Sequence, residues 1–360
     1  MSHGVQIDRA AHGRPVRRGE RACRALVLCG VSLVIAHDAR GQSTVTLYGI
    51  IDTSVEITNT GTHTTIRMDS GSQIGTQYGL KGSEAIGAGY AIVFQLENGF
   101  SGVNGAAANA ADAFSRQAWI GLAGPIGSLR FGLQHSPLYN VVACRLDAFC
   151  VASMASGFNN FLTIVPRAAN SIRYDSPLFR GWSFQAMVSL RDPASSAANG
   201  IGGYHLAFEY DDGGPLQTEG GYQWVHNPGT SPTRALFYGL SYGFSGLRLY
   251  AAIEHATSAA TLARNDMGVS ARYELTAFDA LSLGYTYLAD TTAARNDADQ
   301  FGAEYQHYLS KRTFLYIDGG YLRNRRAAKF TLNGAVVAGV PVDYPGAPVK
   351  GIQFGIEHHF

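Results

Sequence analysis

The stretch TVTLYGIIDTSVEI, residues 44–57, alternates with a period of two. Its odd positions Val45, Leu47, Ile51, Val55 and Ile57 are apolar, whereas Thr44, Thr46, Asp52 and Glu56 are polar. Successive side chains of a β-strand point to opposite faces, so this segment has one greasy face and one wet face. The same alternation recurs along the chain. Ile74, Tyr78 and Leu80 alternate with Gln73, Gln77 and Lys81, and Tyr90, Ile92, Phe94 and Leu96 with Val93, Gln95 and Glu97. Phe184, Ala186, Val188 and Leu190 stand against Ser183, Gln185 and Ser189; Leu281, Leu283, Tyr285 and Tyr287 form another set. The end repeats it, with Ile352, Phe354, Ile356 and Phe360 against Gln353, Glu357 and His359.

Connections between these runs alternate in length. Short ones fall at 124–127, 211–215, 243–246 and 309–312, and long ones at 59–72, 101–113, 191–200 and 324–350. Tight turns at one end and longer loops at the other are the asymmetry of a transmembrane barrel. In lipid every backbone N–H and C=O needs an internal partner, so a spanning sheet must close on itself. The fold class predicted is therefore all-β: a transmembrane antiparallel β-barrel of about sixteen strands, apolar outside and polar inside. Aromatics near the strand ends (Trp119, Trp182, Tyr204, Tyr210, Tyr222, Trp224, Tyr242, Tyr273 and Tyr308) suit girdles at the two membrane interfaces.

Composition agrees. Charged residues make up 15% of the chain, with 43 glycines, 19 tyrosines and 18 phenylalanines, too aromatic for a disordered chain. Mean hydropathy is −0.03, and no apolar run approaches the roughly 20 residues of a membrane helix. Residues 1–41 read as a removable signal peptide: a basic stretch with Arg9, Arg14, Arg17, Arg18, Arg21 and Arg24, an apolar core at 25–36, and Ala39 and Gly41 before the cut. They hold seven arginines against three acids, so the remainder, 42–360, carries about −3 instead of the formal +1. That balance argues against nucleic acid as a partner. Cys23 and Cys29 leave with the signal. Export to an oxidising compartment favours a bridge between the remaining Cys144 and Cys150, two free thiols being the alternative.

Competing chemistry finds no support. H-E-x-x-H and C-x-x-C are absent, and neither an enzyme nor a cofactor is expected. The glycine clusters near 82–89 and 200–203 precede no helix that could cradle phosphate. The eleven histidines lack ligand spacing, and the pair His358–His359 reads as wall, so no metal is expected.

Four stretches, QSTVTLYGIIDTSVE, YGLKGSEAIGAGYAIVFQLENGF, SRQAWIGLAGPIGSLRFGLQHSPLYN and NSIRYDSPLFRGWSFQAMVSL, together with the terminal Phe360, resemble the trimeric general porins of β-proteobacteria, in the same order over the whole mature chain. The resemblance implies a sixteen-stranded homotrimer in the Gram-negative outer membrane, passing small polar solutes by passive diffusion, with the third outer loop folded into the pore. Here that loop is 136–169, which holds Cys144 and Cys150. Its implied partners are outer-membrane lipids, lipopolysaccharide and the barrel-assembly machinery, which reads a terminal aromatic such as Phe360. Arg116 and Arg173 match the family pattern. Gln77 and Leu133 stand where the family usually has arginine, and Ala85 where it usually has aspartate. The alternative within the fold is a substrate-selective channel; a barrel enzyme or a soluble adhesive β-protein fits less well.

A channel needs a polar lumen, a narrow point and a field across it. Strand parity puts Lys81, Arg130, Arg173, Arg248 and Arg272 on the inner face. The same rule places Glu97, Glu209, Glu219, Glu254, Glu274, Glu304 and Glu357 inside. The candidate constriction set is Lys81, Glu97, Arg130 and Arg173 on the wall, with Arg145, Asp147 and Arg167 from the loop and its return. Arg116 shares parity with Ala118, Ile120 and Leu122, which points it outward.

Overall fold

A computed structural model describes residues 43–360 apart from 143–144, 162–163, 192–199 and 259–261; the expected leader, 1–41, lies outside the described residues. Alternation carries into a continuous ladder. β1 (Thr44–Asn59), β2 (Thr64–Ser70), β3 (Gln77–Gly87), β4 (Tyr90–Gly99), β5 (Gln117–Gly124) and β6 (Gly127–His135) come first. After a long loop follow β7 (Arg167–Asp175), β8 (Trp182–Leu190), β9 (Ile201–Asp211), β10 (Leu216–Val225), β11 (Thr233–Gly243) and β12 (Leu247–Ser258). β13 (Leu262–Glu274), β14 (Asp279–Asp290), β15 (Ala298–Ser310), β16 (Thr313–Asn324) and β17 (Val349–His359) complete the wall.

Neighbours in the chain pair antiparallel, and β17 returns to β1, so the sheet closes. β2 pairs with residues 53–59 of β1 and β3 with residues 44–50, on the same side. The two are halves of one stave, and the seventeen segments make a barrel of sixteen. The expected loop at 59–72 is therefore corrected: 64–70 is wall, and only four residues join it to β1. The other difference is a break at 71–76, which sequence alternation runs straight through. Six residues there face two on β1, so the surplus is four. An even surplus leaves the alternation in phase, which hides the break from a parity count.

The inside-out arrangement follows from the exposures. Val45, Leu47, Ile66, Phe184, Leu236 and Phe301 are exposed outward, while Asp52, Glu56, Glu97, Glu219 and Gln353 are buried inward. Trp182 stacks with Phe184 and lies tilted against Tyr210 on the outer face, as a girdle requires. Trp119 and Tyr308 turn inward instead: Trp119 lies under the Arg130 guanidinium, and the Tyr308 hydroxyl donates to Gln306.

Candidate functional site

The loop after β6 runs inside the barrel, from Ser136 until the chain rejoins the wall at Arg167, three residues before the expected end. It opens with α1 (Pro137–Val142), which lies against β8–β10, and later makes a short 3-10 turn (Gly157–Asn160) against β14 and β15. Its seat is a track of small inward residues. Gly239, Ala252 and Gly268 are direct cross-strand neighbours, and so are Gly284, Gly302, Gly320 and Gly351. A Cβ on Gly268 would overlap the Phe158 ring, one on Gly284 would crowd Phe149, and one on Gly302 would overlap the Ala155 carbonyl. Into this track the loop sets Leu146, Met154, Phe158 and Phe161, which pack with Phe237, Leu288 and Leu322 from the wall. Each such side chain contributes roughly 1.5–3 kcal/mol on burial.

Polar ties fix the register of the seat. Ser270 Oγ accepts from Ala148 N at 2.9 Å and donates to Asp147 Oδ1 at 3.0 Å. Asp147 Oδ2 accepts from Ser156 Oγ at 2.6 Å and Val151 N at 3.1 Å. Asp147, expected to face the bore, is 2% exposed and binds the loop to itself and to β13. Burial pushes its carboxyl above the usual range, against those hydrogen bonds. Arg145 pairs with Glu209, Glu219 and Asp211 on β9 and β10. Burial opposes the Arg145 charge, but Glu219, Glu209 and Asp211 outweigh it and raise its pKa. Gly302→Val should lift the loop tip and destabilise the folded barrel by about 1–3 kcal/mol, as overpacking does. Heat modification of the folded protein and protease cleavage within 136–166 check this; an unchanged protein would refute the seat.

Two further segments enter the lumen. The break at 71–76 forms a knuckle: Asp52 Oδ2 accepts from Gln73 N at 2.6 Å, and Ser72 O accepts from Ser153 N at 2.9 Å. The last loop, 325–348, lies over the third loop. Asn159 Nδ2 donates to Asn333 O, Asn160 Nδ2 to Thr331 O, and Ala335 N to Ser72 O. Outside, Asp343 clasps this loop to the first one, accepting from Thr62 N at 2.6 Å and His63 N at 2.9 Å, which holds its carboxyl well below the usual range.

The facing wall, β4–β7, is basic. Arg173 donates to Asp175, Gln185 and the His135 carbonyl. Arg130 pairs with Asp175 at 2.7 Å. Arg116 is a correction to the parity rule: it is 8% exposed and pairs inward with Glu97 at 2.8 Å. β5 begins only at Gln117, so the alternation does not extend to it. Glu97 also accepts from the Tyr48 hydroxyl at 2.8 Å. Arg167 opens β7 opposite His135, and its Nε and Nη2 have no hydrogen-bond partner among the described residues. Lys81 is exposed lower on β3, its ammonium 5.6 Å from the Tyr48 ring centre. The structure thus gathers Glu97, Arg130, Arg167 and Arg173 on one wall with Arg116, and sets Arg145 and Asp147 against the other. The expected Cys144–Cys150 bridge involves a residue outside the described ones; Cys150 is exposed, with φ 61°. Sequence reasoning missed the glycine track, the knuckle and the inward last loop.

Comparison with known proteins agrees with this geometry. A family model described as Gram-negative porin matches residues 25–327. The chain is 29% identical over 332 residues to the major outer membrane protein P.IB of Neisseria lactamica, covering 82% of this chain and 93% of that protein. It is 28% identical to outer membrane porin protein 32 of Delftia acidovorans, over 91% of this chain and 97% of that one. Among solved structures, an anion-selective porin from Comamonas acidovorans superposes with a TM-score of 0.75 at 24% identity, covering 89% of this chain and all of the other.

Proposed function

The chain belongs to the Gram-negative porin family, as an outer-membrane porin that forms a passive water-filled channel for small hydrophilic solutes and ions, and we propose that its narrow point favours anions. One observation carries the proposal: Arg167. Beside it Arg116 pairs with Glu97, Arg130 and Arg173 share the one carboxylate of Asp175, and Arg145 is matched on the opposite side. Arg167 has no such match among the described residues, and although its Nε and Nη2 are buried, its charge adds an uncompensated positive field to this wall. In a low-dielectric surround, focused fields of this kind raise the local counter-ion concentration. Glu97 and Asp175 hold the other guanidiniums in place, Lys81 adds positive charge lower on β3, and Asp147 keeps the loop seated. The test is the reversal potential of single channels in a KCl gradient; a cation-selective sign would overturn the reading.

We also propose a homotrimer whose contact face centres on β17, β1 and β2. Outward side chains there are mostly aliphatic (Ile51, Val55, Ile57, Ile66, Met68 and Ile352), with Phe354 among them. Tyrosine and tryptophan are absent from those outward positions, whereas β8–β11 present Trp182, Tyr204, Tyr222 and Tyr242. A girdle is needed where lipid headgroups touch the wall and not where another subunit does. Conductance in steps of three supports it; single steps from folded protein would refute it. A bridge between Cys144 and Cys150 is expected in the exported chain. Non-reducing mass spectrometry should find one crosslinked peptide, and two alkylatable thiols would contradict it.

A further inference from the structure

Beneath the loop seat lies an acidic cluster that the constriction does not use. Glu304 and Asp318 are direct cross-strand partners on the inner face of β15 and β16, and Gln353 is the next residue across on β17. Each stands two residues along its strand from a glycine of the track, Gly302, Gly320 and Gly351. The knuckle and the loop tip cover the cluster: Gln73 Nε2 donates to Glu304 Oε2 at 2.9 Å, and Ser153 N donates to Ser72 O. Both carboxylates are 2% exposed.

Their remaining oxygens are orphans. Asp318 Oδ1 and Oδ2, Glu304 Oε1 and Gln353 Oε1 have no hydrogen-bond partner among the described residues. Asp52 and Glu56 add negative charge around Asp318. The nearby cations are committed elsewhere: Arg67 to Glu56 and Asp69, and Arg272 to Glu274, Gln306 and Tyr308. Two adjacent buried carboxylates without an ion-pair partner are strongly unfavourable. Four unmatched oxygens, all hard donors, are the ligand type that calcium-like ions take.

We infer that Asp318 and Glu304, with Gln353 Oε1, form a binding site for a hard divalent cation that locks the third-loop tip and the knuckle to the wall. The cation would neutralise the pair and reinforce the hydrogen bonds that already join the three segments, among them Ser54 with Ser72, Gln353 with Ser72 and Gln300 with Met154 O. No three His, Cys, Asp or Glu residues converge in ligand geometry among the described residues, so two carboxylates, an amide oxygen and water are the donor set.

The test uses the mature chain refolded from denaturant, hence free of lipopolysaccharide, and stripped with EDTA. Calorimetric titration with Ca2+ should show saturable binding, one ion per subunit, and Ca2+ should raise the heat-modification temperature. Asp318→Asn should abolish that binding and make heat modification indifferent to Ca2+; Glu304→Gln carries the same test if the first variant does not fold. Absence of saturable binding, or binding unchanged in both variants, overturns the inference. So does an infrared band of a protonated carboxyl that persists in Ca2+ and disappears in Asp318→Asn, because the pair then shares a proton instead. Anion preference is read separately, from the reversal potential.

Discussion

Channels carrying Arg167→Glu should lose their preference for chloride over potassium, with the reversal potential in a KCl gradient crossing toward the cation side. Two unit charges change at the narrow point. A unit charge at 4 Å acts with about 1 kcal/mol even in bulk water, so the exchange amounts to about 2 kcal/mol. That corresponds to more than a tenfold change in the local anion-to-cation ratio at low salt. Arg167→Gln should give roughly half the shift. Raising the salt toward 1 M, where the Debye length is only about 3 Å, should shrink both effects. Lys81→Glu provides the contrast: Lys81 is solvent-exposed lower on β3, away from Arg167, so its reversal should move the potential far less. The matched pairs provide another. Removing Arg116 frees Glu97 as a buried unpaired charge, and its first effect should be on folding. A reversal potential unmoved by Arg167→Glu would mean that the current passes elsewhere.

The wall was legible because a period of two is a local signal. Val45 through Ile57 and Ile352 through Ile356 face lipid in the structure as their spacing requires. What lies inside the wall was not legible, because alternation marks two faces without saying what fills the inner one. Gly268, Gly284, Gly302 and Gly320 look like weak strand positions in the sequence. Only the loop pressed against them shows why side chains are missing there. The knuckle escaped because its surplus of four residues restores phase. Arg116 escaped for the opposite reason: parity was extended one residue past the true start of β5. The inward course of 325–348 depends on asparagine contacts, Asn159 with Asn333, Asn160 with Thr331 and Asn333, and Asn324 with Phe330, that no spacing rule announces. The greasy cluster these loops complete sits within the barrel, so the wet inner face predicted from alternation holds only where the loops leave the wall uncovered.

Deleting Phe360 should reduce the yield of folded barrel at least about tenfold while leaving the conductance of assembled channels unchanged. The reason lies at the seam. β17 meets β1 over ten paired positions, from Ile50 with His359 to Asn59 with Lys350. Phe360 adds the last rung: its N–H donates to Gly49 O at 3.0 Å, and its carbonyl accepts from Gly49 N at 3.1 Å. Its ring occupies the space that a side chain on Gly49 would need, where a Cβ would overlap it. Closure is all-or-none in a membrane, because an open sheet edge leaves backbone groups unpaired in hydrocarbon at several kcal/mol each. Loss of two such bonds and a large aromatic at the closing rung therefore acts on whether the ring forms, since the seam is remote from the Arg167 wall. Gly49→Val should reproduce the defect with Phe360 still present, by displacing its ring. That second variant separates the seam from recognition of the terminal residue by the assembly machinery, which Gly49→Val leaves intact. Normal yield from Gly49→Val with poor yield from the deletion would assign the effect to recognition; normal yield from both would show that the closing rung is dispensable.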